Sequence, residues 1–120
     1  MLALALSLFA LTAPALKPPM IAPEEAGKHL EQHVIVRGTV SQVVVTKNLT
    51  THLHFGGIYP NQVFTVTFFK RSRSEFPQVQ DYEGKLVEAD GVVHITRGKP
   101  EIVISDKTRL HLADQPPAAK

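Results

Sequence analysis

The chain has no cysteine and no tryptophan, and aromatic residues make up only 7% of its 120 positions. Without cysteine there is no thiol nucleophile, no thiolate zinc site and no N-terminal cysteine to carry a lipid. An oxidising compartment permits disulfides without requiring them, so this domain is held together by its core alone. Charge is missing locally as well: residues 1–16 carry none. Residues 2–15 are Leu, Ala, Phe, Ser, Thr and Pro only, and they close on Ala13-Pro14-Ala15. This reads as a secretory signal peptide over residues 1–15, ending in an Ala-x-Ala site. It is shorter than the roughly 20 apolar residues of a membrane span, so no membrane segment is expected in the mature form. Thirteen Lys and Arg stand against eleven Asp and Glu, a net +2. That balance excludes a polybasic or an acidic tail and leaves only local basic patches.

The rest of the chain reads as a linker over 16–20, one small domain over 21–113 and a disordered tail over 114–120. Pro23-Glu24-Glu25-Ala26 predicts a short helix, with Pro in its first turn and acids at the positive dipole end, running about ten residues to Gln32. From Val34 the period changes to two, and a half-buried strand extends to Val45. Thr51–Phe55 predicts a second strand with Leu53 and Phe55 inward and His52 and His54 outward. A third covers Gln62–Phe69, with Phe64, Val66 and Phe68 on one face and Thr65 and Thr67 on the other. Residues 72–84 break the alternation and predict a loop with a helical turn or two. Leu86–Thr96 and Glu101–Ser105 are the fourth and fifth strands, and Leu110 with Leu112 continues the fifth or forms an edge piece. Five strands with a short helical or loop element between the third and fourth predict an all-β, five-stranded OB-fold barrel with a short N-terminal helix. An SH3-like barrel is the competitor. Gly38 and Gly91, inside strands, suit a coiled barrel in which backbones approach closely.

Three segments resemble a group of small exported bacterial OB-fold proteins that carry a nucleic-acid-binding label. The first is Ile21-Ala22-Pro23-Glu24-Glu25-Ala26 leading into Val36-Arg37-Gly38-Thr39-Val40. The second is Thr51-His52-Leu53-His54-Phe55 followed by Tyr59-Pro60-Asn61-Gln62-Val63-Phe64-Thr65. The third is Gly84-Lys85 to Gly91, then Arg97-Gly98-Lys99-Pro100-Glu101-Ile102. The resemblance implies an OB fold and a periplasmic or secreted location; it fixes no ligand, because fold does not fix function. Many members carry two cysteines where this chain has Arg37 and Glu88, which implies an ion pair on adjacent strands where relatives have a disulfide.

OB folds that bind oligomers use the second and third strands as a floor and the flanking loops as walls. On that plan His52, His54, Tyr59 and Asn61 would touch bases or sugar, and Lys47, Lys70, Arg71, Arg73, Arg97 and Lys99 would meet phosphates. The partner expected is single-stranded DNA or RNA, bound weakly by a monomer, because His and Thr stand where strong binders place stacking aromatics. The alternative is an accessory or stress-type module that binds a protein, peptide or small ligand. A weaker alternative is metal binding by His52 and His54, two apart on one strand face, with His94 or Glu101 as third ligand. No Ser-His-Asp order, glycine-rich phosphate loop or paired carboxylates stands out, so the reading is non-enzymatic and without a cofactor.

Overall fold

A computed structural model describes residues 17–113. The signal-peptide reading, the first linker residue and the tail lie outside the described residues. Among the described residues there are eight strands: β1 Met20–Ile21, β2 His33–Val45, β3 Thr51–Phe55, β4 Phe64–Phe68, β5 Leu86–Val92, β6 His94–Thr96, β7 Lys99–Val103 and β8 Leu110–Leu112. The hydrogen-bonded order is β6-β7-β4-β3-β2-β5-β8, with β1 pairing alongside β2. The all-β expectation holds, but this order is an open path of seven strands, with β1 beside it, rather than a closed five-stranded barrel. The fourth expected strand is divided at Val93, which leaves its neighbours to bridge to Leu30. Leu110–Leu112 is a separate strand on β5, with Val87 opposite Leu112. Met20, assigned to the linker by sequence, pairs with Ile35.

The expected ten-residue helix is a six-residue 3₁₀ turn, Pro23–Lys28. Glu25 closes its start by accepting from the Ala22 amide at 3.1 Å. The chain then reverses through Glu31 at φ 63° to enter β2, which leaves no room for further helical turns. Two more 3₁₀ turns, Lys70–Glu75 and Val79–Tyr82, fill the segment between β4 and β5.

Alternation places the core as the sequence indicates. Val34, Val36 and Val40 of β2, Leu53 and Phe55 of β3, and Phe64, Val66 and Phe68 of β4 are all sealed from solvent, with Val87, Ala89 and Ile102 across from them. Two glycines allow elements to approach. A Cβ on Gly38 would lie 2.4 Å from Pro23 Cγ, and one on Gly91 would lie 2.6 Å from Ile102 Cγ2. On the outer face Arg37 stands directly opposite Glu88 in the β2–β5 ladder. Their Nε and Oε2 atoms are 3.8 Å apart, as the resemblance implied, and His111 of β8 reaches the other oxygen of Glu88 at 3.3 Å.

β2 serves two ladders. As far as Thr39 it pairs with β5, and from Val40 onward it pairs with β3. The register slips between Val40 and Gln42, a bulge that bends the strand. That bend aims the second half of β2 toward the site described next.

Candidate functional site

The face of β3 and β4 that points away from the core is the floor of a groove of about 490 Å³. Its walls are the second half of β2, the 56–63 loop, and the turn between β6 and β7. Each wall has a local cause. Ser41, the bulged residue of β2, places its hydroxyl 2.9 Å from the His54 carbonyl and 2.6 Å from the Gly57 carbonyl. The Gly57 amide donates back to it at 3.2 Å. Gly56 at φ 75° and Gly57 at φ 143° then turn the chain outward, and the Tyr59 amide is held by Gln42 Oε1 at 2.9 Å. On the far side Arg97 and Gly98 both have positive φ, 53° and 83°, as a two-residue hairpin requires. Arg97 is an uncommon residue in that conformation, and it lines the groove. Lys99 clamps the two walls together by donating from Nζ to the Gln62 carbonyl at 3.0 Å.

Cross-strand pairs build the floor. His52 lies opposite Thr67 and His54 opposite Thr65, and each imidazole Nδ1 meets the facing hydroxyl, at 2.8 Å and 3.1 Å. Thr67 donates its one hydrogen to Glu101 Oε2 at 2.5 Å. Its oxygen is therefore an acceptor toward the ring, so neutral His52 carries its proton on Nδ1 and presents Nε2 as a bare acceptor. Glu101 is held on its other oxygen by Thr96 at 2.6 Å. A hydrogen-bonded chain thus runs Thr96, Glu101, Thr67, His52 across four strands.

The His52 and His54 rings lie nearly parallel, 9° between planes and 5.9 Å between centroids. Tyr59 continues the row 6.0 Å beyond His54. That spacing argues against the metal alternative. Parallel rings hold like nitrogens about as far apart as their centroids, whereas two imidazoles on one zinc, each at about 2.0–2.1 Å, approach within about 4.2 Å. His94 does not supply a third ligand, because its Nδ1 faces Glu31 Oε2 at 3.3 Å. Among the described residues no three His, Asp or Glu side chains group as a metal site.

Burial pushes both imidazoles below their usual range. For His52 the Glu101 carboxylate opposes that shift and Arg97 adds to it; for His54 the neighbouring His52 adds to it. Both rings are neutral at neutral pH. Since the folded values lie under the unfolded one, the stability carried by the neutral rings is full above about pH 6.5 and is lost as pH falls from there through the folded values. Wild-type protein should therefore lose more of its melting temperature between about pH 7 and pH 5 than a His52→Gln, His54→Gln double variant. Circular-dichroism melts at both pH values check this, and equal losses would remove the account.

No protein-family model and no curated protein matches the sequence. Solved structures do. The chain superposes on the OBody AM1L10 from its complex with hen egg-white lysozyme, with a TM-score of 0.59 at 13% identity, covering 85% of this chain and 100% of that one. It also superposes on a protein assigned as an aspartyl-tRNA synthetase from Leishmania major Friedlin, with a TM-score of 0.53 at 11% identity. That match covers 88% of this chain and 23% of the other, so the chain spans less than a quarter of that protein's length. The shared architecture is OB-like. At these identities the likeness is one of fold alone.

Of the residues expected at an OB-type face, the groove brings together His52, His54, Tyr59, Arg97 and Lys99. Lys47 sits in the turn beside Thr46, which does line the groove, and Asn61 sits beside Gln62, which also does. Lys70, Arg71 and Arg73 belong to the 3₁₀ turn that follows β4 and are not among the lining residues. The chain leaves the sheet after Phe68, and the turn carries these three charges past the end of the floor. Gln42, Gln62 and Thr65 were not assigned to ligand contact by sequence, and Glu101 was named only as a third metal ligand, yet all four line the groove. Glu101 had a signal: it alternates with Ile102, an inward residue, and so must face the other way.

Proposed function

We propose that this chain is a non-enzymatic, exported binding module of OB type, monomeric, that holds a single strand of nucleic acid weakly along the β3–β4 face. The observation that carries the reading is the row of His52, His54 and Tyr59 rings along a groove whose wall bears Arg97 and Lys99. The exposed Tyr59 ring and the half-buried His52 ring, with the buried His54 between them, beside cations suit a strand that stacks a base or two and runs its phosphates along one side. The barrel belongs to the same proposal. β5 and β6 are one segment interrupted at Val93, β5 pairing with β2 and β8 and β6 with β7, so the segment that begins next to one end of the path ends at the other. In support of a non-enzymatic role, the carboxylate in the groove, Glu101, has both oxygens occupied by threonine hydroxyls. The periplasmic or secreted address rests on residues 1–15.

A second reading has one observation in its favour. Glu101 places a negative charge at the floor, and Lys70, Arg71 and Arg73 stand off the groove, an arrangement that also suits a peptide or a neutral small ligand.

Titration with fluorescent single-stranded DNA and RNA at several salt concentrations separates the two. For a strand, log affinity should fall linearly with log salt, by about 0.7 per phosphate contacted. Arg97→Ala with Lys99→Ala should flatten the slope by about 1.4, while changing Lys70, Arg71 and Arg73 together to Ala should alter it less. Absence of binding at about 50 mM salt, with folding confirmed, would give the place to the second reading.

A further inference from the structure

Gln62 is the polar side chain whose pairing is incomplete at the groove. The residue is 6% exposed, its amide nitrogen reaches Thr65 Oγ1 only at 3.5 Å, and its Oε1 is buried with no hydrogen-bond partner among the described residues. A buried carbonyl oxygen left unpaired is costly, and native structures normally pair it with protein, water or ligand. The floor of the same groove carries further acceptors. His52 presents a bare Nε2 because Thr67 and Glu101 fix its proton on Nδ1, and Glu101 is itself a carboxylate. The backbone around Gln62 is fixed too, since Lys99 holds its carbonyl. The cations, by contrast, are in the wall. A strand lying in this groove is therefore polarised: its phosphates belong toward Arg97 and Lys99, and its base edges belong toward the floor of acceptors.

Resting on the nucleic-acid reading above, we propose that Gln62, which lines the groove, is a specificity residue whose Oε1 selects bases carrying an exocyclic amine. Cytosine offers the two hydrogens of its N4 amine, standing out from the ring edge. Uracil has a carbonyl at that position, and its ring N–H is flanked by two carbonyl oxygens that would face the acceptors of the floor. Oxygen against oxygen with no hydrogen between them is repulsive, so discrimination comes from a mismatch as well as from a pairing.

Oligodeoxycytidine and oligodeoxyuridine of about ten nucleotides, matched in salt and dye, isolate that edge, because both are pyrimidines with the same backbone and no methyl group. Wild-type protein should bind the cytidine strand about fivefold tighter, the scale of one hydrogen bond gained or left unmade. Gln62→Met, close in shape but without the acceptor, should bring the cytidine affinity down to the uridine value and leave the uridine affinity in place. Gln62→Leu provides the same comparison if the first variant melts early. Equal wild-type affinities for the two strands, or a preference that survives in both variants, would overturn the role of Gln62 while leaving strand binding intact. Failure of either strand to bind would instead overturn the reading on which it rests.

Discussion

Phe64→Ala is expected to lower the unfolding free energy by about 3–5 kcal/mol. Phe64 opens β4 directly opposite Phe55, with ring centroids 5.4 Å apart and planes 50° apart, and neither residue has any solvent exposure. Truncation removes the burial of a large aromatic side chain and leaves a cavity between two strands that cannot close it. A domain of this size has roughly 5–15 kcal/mol in total, and with no cysteine in the chain no cross-link shares the load. The next residue, Thr65, is part of the groove floor, so the same loss should loosen the site. Urea denaturation followed by circular dichroism measures it. A loss under about 1 kcal/mol would mean that the aromatic cluster is not the centre of the core.

Gly38→Ala is the second large effect, at about 1–3 kcal/mol. A methyl group there would stand 2.4 Å from Pro23 Cγ and 2.9 Å from its Cδ. The contact is a closed ring rather than the end of a flexible chain, so the turn or the strand must move. Gly27→Ala is the control. Its new carbon would meet Pro100 Cγ at 3.8 Å, an ordinary contact, and should change stability by no more than about 0.5 kcal/mol. Parallel urea curves distinguish the two; similar midpoints for both variants would show that the approach of Pro23 to β2 is not tight.

Alternation in β2, β3 and β4 was legible because the pleat gives each side chain one of two faces. Leu53 and Phe55 therefore had to oppose His52 and His54. What the period of two leaves out is whatever lies over a face. His54, Thr65 and Thr67 were expected at an open surface, yet they are buried: Gln62 of the 56–63 loop and His54 meet Thr65, and His52 and Glu101 close over Thr67. The bulge in β2 has no signature in composition. Arg97 and Lys99 were legible from the Arg-Gly turn that carries them. Lys70, Arg71 and Arg73 misled because nearness in sequence to β4 was taken for nearness to its face. Six residues of 3₁₀ turn and ten of α-helix begin with the same Pro-Glu-Glu signal, and only the reversal at Glu31 separates them.

The interruption at Val93 has a mechanical consequence. Its amide donates to the Gln32 carbonyl at 3.1 Å and its carbonyl accepts from the Glu31 amide at 2.7 Å, so a single residue is clasped at both its backbone groups by the segment that leads into β2, while its neighbours belong to different ladders. The wall that carries Arg97 cannot swing away from the floor without pulling on this clasp, and through it on the β2–β5 ladder. Opening of the groove is thereby geared to fraying of the opposite side of the sheet, which makes the two one cooperative unit. A ligand that tightens the groove would slow amide exchange at β5, a strand it never touches.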